Sequence, residues 1–429
     1  MNASTASRAL QVIDRCRELA LCTQVEGQTT RTFLAPSMHR VHTLLGAWMQ
    51  AAGMQVRVDA AGNLRGLLPA GPRSPRLLIG SHLDTIANAG AFDGVLGVAL
   101  GVALVEEIAA TSSSNPPLPF AIEVVGFSEE EGVRFAKPFL GSLALIGELN
   151  SATLARTDCN GVSVADAIRQ FGLDPAELPA AVVDPAAFGY LEVHIEQGPV
   201  LDSQGHALGV VDGVAGQTRM QLVFTGQAGH AGAMPMGALR HDALAAAAQW
   251  VVEVERYANQ CHGLVATVGK LETRTGASNV IAGDATATLD VRHSQNALRQ
   301  AAVQHCLDYA HAAGAARGVT VAHTTLLDHA AVPMDTALTA LVADAAARAT
   351  GRATRMITSG AGHDAMIVAR RVPSAMLFLR SPGGLSHHPD EAVLPEDVQA
   401  ALATGLEFLR SLRDDRTMLD ALTNRRTQA

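Results

Sequence analysis

The order of strand and helix signals between residues 217 and 328 constrains this chain more than any other feature. The pattern reads strand 219–226 (RMQLVFTG), helix 238–257, strand 264–272 (LVATVGKLE), strand 285–293 (ATATLDVRH), helix 295–313 and strand 318–327 (GVTVAHTTLL). A β-α-β-β-α-β series is a complete ferredoxin-like α+β sandwich that closes on itself. On either side the chain alternates instead. Strands are expected at 55–59, 63–69, 76–82, 119–127, 190–195 and 373–380, with helices at 8–22, 38–53, 94–110 and 395–412. Buried apolar strands interleaved with helices are the α/β signature. A self-closing unit inside such a chain is an insertion. The expected division is therefore a split α/β domain, 1–214 and 329–429, around an inserted domain, 215–328.

Composition narrows the class of molecule. At ~150 residues per domain, 429 residues suit two to three domains. The 48% hydrophobic fraction against 17% charged supplies large cores and excludes disorder as the main state. Lys and Arg total 32 and Asp and Glu 41, a net charge of −9 with no dense basic run, so neither nucleic acid nor an anionic membrane is an expected partner. Two Trp and three Tyr leave few stacking platforms. Five scattered Cys without a C-x-x-C pair argue against a disulfide framework and point to a reducing cytoplasm. The N-terminus carries charges throughout and reads as a helix rather than a secretory signal. The longest uncharged apolar run, 94–105, is too short to span a bilayer. SSSNPPLP (112–119) reads as a surface turn. Sixteen His is a high number for so lightly charged a chain.

Four polar clusters fall at the carboxyl ends of strands or just beyond, where open α/β sheets gather ligands. GSHLDTIANAGAFDG (80–94) holds His82 at a strand end, Asp84 two residues on and Asp93 before a helix. Imidazole with carboxylate suits a divalent metal, and Asp84 is placed to orient His82. Equally, Asp93 reads as a helix N-cap and His82 as a core residue. GFSEEEGVRF (126–135) sets three carboxylates directly after an apolar strand. Cations or protons must offset their repulsion, one acid ligating a metal while a neighbour acts as base. A solvated charge run is the plain alternative. YLEVHIEQGPVLD (190–202) puts Glu192, His194 and Glu196 on one strand face, as ligands or as satisfied core groups. RSPGGLSHHPDEAV (380–393) carries His387 and His388 after a Gly-Gly turn, a pattern also found on ordinary surface loops.

Together these strand ends supply three or four imidazoles and two or three carboxylates. A pair of hydrolytic metals roughly 3.5–4 Å apart needs such a set. The strings SHLDT…FDG, EEGVRF, HIEQGP and SHHPDE resemble the amidohydrolase branch of the dinuclear zinc peptidases, which includes allantoate amidohydrolases, N-carbamoyl-L-amino-acid amidohydrolases and β-ureidopropionases. HIEQGP and EEG-x-RF distinguish that branch from the dipeptidases of the wider superfamily. The resemblance covers nearly the whole chain. It implies a mixed-sheet catalytic domain whose ferredoxin-like insertion serves as lid and dimerisation domain of a homodimer. It also implies two divalent ions per subunit, zinc or manganese, with cobalt or nickel as substitutes. His82 and His194 would hold one ion, Glu131 and His387 the other, with Asp93 bridging, Glu130 as general base and Asp84 assisting. The pattern G-x-S-H-x-P-x-E selects His387, although a one-residue shift would exchange it with His388.

The insertion has polar clusters of its own in AGHAGAMPMGALRHDA (228–243), SNVIAGD (278–284) and DVRH (290–293). Arg292 reads as a bidentate partner for a carboxylate or as an exposed strand-end charge. The resemblance implies that Arg292 and Asn279 hold the substrate carboxylate, Gln197 contacts the ureido group and His230 stabilises the oxyanion, often across a dimer. SGAGHDA (359–365) follows a strand and opens a helix, so the backbone around Gly360 and Ala361 could face an anionic group, with His363 and Asp364 supporting the site or capping the helix. Ala89, Ala233 and Ala282 depart from the family pattern without removing a ligand. The implied reaction is hydrolysis of a terminal ureido C–N bond. Allantoate is the expected small anionic substrate, giving ureidoglycine, ammonia and carbon dioxide. An N-carbamoyl-L-amino acid or a β-ureidopropionase-like substrate is the alternative, with a dipeptide further off. A catalytically silent binding protein on this fold would need a broken ligand set.

Overall fold

The strands Ala121–Phe127 and Ala187–Ile195 are buried at every position, the pattern of strands covered on both faces. In the computed structural model, which describes residues 3–111, 116–274 and 277–425, they lie in one mixed sheet. The 112–115 part of the expected surface turn lies outside the described residues. Across this sheet the order is Gln55–Val58, Leu64–Leu68, Ala121–Phe127, Arg76–His82, Ala187–Ile195, Ser374–Leu379 and Leu208–Val214, with Arg355–Ser359 also paired to the last. The pairings of Arg76–His82 with both neighbours, and of Ser374–Leu379 with Ala187–Ile195, are parallel, so four carboxyl ends open on one side. The outer pairings are antiparallel. Leu208–Val214 had no counterpart among the expected strands. Gly209, Asp212 and Gly213 weaken its β signal, and burial between neighbours makes it a strand regardless.

Val95–Ala110 lies against this sheet with every residue from Val95 to Val105 buried. Gly97 permits the approach: a Cβ there would stand 2.0 Å from the carbonyl oxygen of Val193. The helix is thereby fixed against the strand that carries His194. Ala3–Ala20, Pro36–Ala51, Thr336–Thr350 and Pro395–Asp414 complete the helical cover. Among the described residues no helix is long and apolar enough to cross a membrane.

The chain divides into two compact units, one within Met1–Asp212 and Met334–Ala429 and the other within Gly213–Pro333. The second unit has a five-stranded antiparallel sheet in the order Leu271–Glu272, Asp284–His293, Gly216–Thr225, Thr320–His329, with Val265–Thr267 also paired to Asp284–His293. Ala243–Gln260 and Asn296–Ala315 pack on it through Trp250, Ala302 and Cys306. The expected single strand 264–272 is two short ones. Thr267 faces Asp290 and Leu271 faces Ala287, so the edge strand passes one extra residue in a bulge. The expected helix 238–257 starts late because the Asp242 carboxylate accepts the Ala245 N–H and caps it there. A separate ribbon pairs Gly229–His230 with Val280–Ile281.

Candidate active site

His82 closes the central strand, opposite Phe127 in the parallel register, and His194 sits near the end of the adjacent strand. Both are 1% exposed. The Nδ1 of His82 lies 3.0 Å from the Asp84 carbonyl oxygen and the Nδ1 of His194 lies 2.9 Å from that of Ile195. A carbonyl only accepts, so each neutral ring carries its proton on Nδ1 and turns the Nε2 lone pair inward. The two Nε2 atoms are 3.3 Å apart. Asp93 Oδ1 is 3.2 Å from the Nε2 of His194 and 3.8 Å from that of His82.

Asp93 stands in the loop that enters Val95–Ala110. The next residue, Gly94, has φ +68°, and a Cβ on it would meet the His82 ring at 2.5 Å. Only glycine leaves room for both the turn and the ring. The carboxylate loop follows Ala121–Phe127 and is held from beneath. Asp84 accepts the Glu130 N–H at 2.9 Å and the Glu131 N–H at 3.1 Å, while Glu129 accepts the N–H of Gly132. Asp84 therefore orients His82 mainly through its main-chain carbonyl. Its side chain, 3.5 Å from the His82 Nδ1, is used to set the acidic loop.

On the opposite wall Gln197 and His387 both have left-handed backbones, φ 59° and 55°. Such strain in non-glycine residues concentrates where a side chain must be aimed. Gln197 Nε2 donates to Asp93 Oδ2 at 3.1 Å and lies 3.2 Å from His387 Nε2. His387 Nε2 is 3.3 Å from Asp93 Oδ2 and 3.7 Å from Glu131 Oε1. His388 turns away, its Nδ1 accepting the Asp390 N–H at 3.1 Å. Of the adjacent imidazoles, His387 is the one brought to the cluster.

Three sets of donors gather within 4.8 Å of one another: His82, Asp93 and His194; His82, Glu130 and Glu131; Asp93, Glu131 and His387. The set fits divalent metal. Asp93 Oδ1 is buried with no hydrogen-bond partner, and two imidazole lone pairs converge beside it. Nitrogen with carboxylate oxygen suits Zn, Mn, Co or Ni. Electrostatics agree with an unmet need for positive charge. Burial pushes Glu130 well above the usual carboxylate range, and burial with the nearby Asp93 lifts Glu131 to about 7. Burial opposes charge on both His82 and Asp93, yet the carboxylates of Asp84 and Asp93 hold His82 well up and the facing imidazoles His387 and His82 hold Asp93 well down.

The other expected site residues divide. Glu196 lies past the strand end and accepts the N–H groups of Val200 and Leu201 at 2.7 and 2.9 Å, so it serves a turn rather than the cluster. The Ala361 N–H is taken by Ser359 Oγ at 3.1 Å, so it is not presented to a ligand in the way expected for Gly360 and Ala361. In the second unit, His230 pairs with Val280, and the Asn279 carbonyl accepts the Ala231 N–H at 2.9 Å, so these two expected residues are neighbours. His230 Nδ1 accepts from Gly232 and Ala233, both at 3.1 Å, which leaves Nε2–H as an outward donor. Arg292 makes a two-pronged contact with Asp290 at 2.9 and 3.0 Å.

Three groups support the site; His363 and Glu192 stood among the residues the sequence singled out, and Glu391 did not. His363 packs edge-on against His194, ring centres 4.5 Å apart, and meets Ser359 Oγ at 2.9 Å. Glu192 accepts the Ala365 N–H at 2.7 Å and the Ser81 hydroxyl at 3.0 Å. Glu391 accepts two main-chain N–H groups from the Asp93 loop. For Glu391 the one advance signal was its place inside the string RSPGGLSHHPDEAV.

Residues 78–411 match peptidase family M20/M25/M40. The chain belongs to this family. Its relatives include allantoate deiminase 2 of Glycine max, 37% identical over 94% of this chain and 89% of the relative. The N-carbamoyl-L-amino acid amidohydrolase of Geobacillus stearothermophilus is 37% identical over 90% of this chain and 93% of its own. Among solved structures, a hydantoinase/carbamoylase family amidase from Burkholderia ambifaria superposes with a TM-score of 0.86 at 35% identity, covering 94% of this chain and 97% of that one.

Proposed function

We propose that this chain is a metal-dependent amidohydrolase that cleaves the terminal ureido C–N bond of allantoate, yielding ureidoglycine, ammonia and carbon dioxide. The convergence of His82, Asp93, His194, Glu131 and His387 carries the reading. Relatives named for allantoate and for N-carbamoyl-L-amino acids supply the substrate class. In this reading His82 and His194 would hold one divalent ion and Glu131 and His387 the other, with Asp93 available to both. Zinc or manganese fits, with cobalt or nickel as substitutes. Bound ions would polarise the ureido carbonyl and acidify water.

The protein's own groups do the rest. Glu130 accepts the proton of the attacking water and returns it to the departing nitrogen, a role for which a raised carboxylate pKa is suited. His230 offers Nε2–H to the developing oxyanion. Gln197 contacts the ureido group, and Arg292 with Asn279 holds the substrate carboxylate. Asp290, already paired with Arg292, orients that guanidinium. With a net charge of −9, an anionic substrate must be held by such local contacts. The insertion acts as lid and as the dimerisation surface of a cytoplasmic homodimer.

Steady-state kinetics on allantoate and on N-carbamoyl-methionine test the substrate, and higher kcat/KM on the latter would move the chain to the carbamoylases. Chelation should abolish turnover and Zn²⁺ or Mn²⁺ restore it. Glu130→Gln should lower kcat by ~10²–10⁴ at unchanged metal content. Full turnover in that variant would remove Glu130 from the mechanism.

A further inference from the structure

Glu391 joins two loops far apart in sequence. Its Oε1 accepts the N–H of Phe92 and of Asp93, each at 3.0 Å, and its Oε2 takes the Ser386 hydroxyl at 3.2 Å. Its own N–H donates to the His388 carbonyl at 3.0 Å, which closes the turn that follows His387. Glu391 is 5% exposed, and Phe92 and Asp93 are 4% and 3% exposed, so these bonds are shielded from water. Neither main-chain N–H has a helical partner, because Val95–Ala110 begins after them. The contact is tight from the other side as well: a Cβ on Gly90 would stand 2.3 Å from the Glu391 Cβ and 2.6 Å from its Oε1.

We propose that Glu391 is a positioning residue that clamps the Asp93 loop to the His387 loop and so sets the distance between these two groups. They meet at 3.3 Å; Gln197 touches both side chains through its Nε2, whereas Glu391 ties the two loops themselves through three hydrogen bonds. The inference rests on the metal centre proposed above. The clamp works through acceptor geometry rather than charge. A glutamine keeps one oxygen for both N–H groups and can donate its amide N–H to Ser386 Oγ. Alanine leaves two buried N–H groups without acceptors.

The test is calorimetric titration of the metal-stripped full chain with Mn²⁺ alone, together with kinetics on allantoate. Glu391→Ala should bind Mn²⁺ ten- to a hundredfold more weakly and lose kcat at similar KM, the range seen when partners that orient metal ligands are removed. Glu391→Gln should stay within about threefold of the parent in both. Gly90→Ala, which pushes Glu391 from the opposite side, should weaken Mn²⁺ binding as well. An alanine variant with parental affinity, or a glutamine variant as impaired as alanine, would overturn the clamp. If circular dichroism shows Glu391→Ala unfolded, the glutamine and Gly90→Ala pair decides, and parental Mn²⁺ affinity in Gly90→Ala would overturn it. A parent chain that takes up no Mn²⁺ would instead remove the metal reading itself.

Discussion

His82 and His194 face each other through Nε2 atoms 3.3 Å apart, each ring anchored by Nδ1 to a main-chain carbonyl. Two neutral rings so held present lone pair to lone pair, which is repulsive unless a cation or a proton lies between them. His194→Ala should therefore cost more divalent-metal affinity than the ~10–100-fold typical of losing an orienting partner. Metal content after dialysis against a weak chelator measures it. Parental stoichiometry and affinity would show that His194 is a packed core histidine.

Asp84 holds the N–H groups of Glu130 and Glu131 on separate oxygens. Asp84→Asn keeps one acceptor and turns an NH₂ toward the other N–H. The acidic loop should loosen, with kcat falling about 10–100-fold while the fold is retained. Kinetics alongside circular dichroism check this, and parental kcat would show the loop to be set by other contacts.

Gly94 has no room for a side chain, since a Cβ would press on His82 at 2.5 Å from a backbone at φ +68°. Gly94→Ala should destabilise by roughly 1–3 kcal/mol and weaken metal binding with it. Urea unfolding and Mn²⁺ titration read the two effects, and a variant matching the parent in both would contradict the packing.

His42 offers a pH prediction away from the site. It is 9% exposed, its Nε2 has no hydrogen-bond partner and its ring sits edge-on to Phe171 at 5.6 Å. Burial, aided by the neighbouring His39, pulls its pKa from 6.5 to about 4. The unfolded chain binds a proton below 6.5 that the native state refuses until about 4, so stability falls as pH drops through that window and is flat above it. The loss approaches about 3 kcal/mol by pH 4. His42→Leu should flatten this part of the profile in urea unfolding at pH 7.5 and 5. An unchanged slope would mean that another group titrates there.

The sequence determined a good deal by itself. Apolar runs flanked by Gly and Pro located most strands of both sheets, because strands buried on two faces are apolar almost throughout. The polar strings at their ends marked His82, Asp93, the acid triplet, His194 and His387 because ligands collect where parallel strands stop. Period-two alternation misjudged Glu196, since alternation holds only while the strand lasts and this one ends at Ile195. Other matters required tertiary structure. The family pattern selected His387 over His388, but how that imidazole is aimed depends on a left-handed backbone at His387 itself. The side-chain use of Asp84 was decided by which loop came to lie above it. Glu391 and Phe92 are 299 residues apart, and their hydrogen bond exists only because the sheet brings two distant strand ends together. Residue chemistry, strand ends and local turns can be written in a string of letters. Which buried acceptor meets which unpaired N–H is settled only when the chain packs.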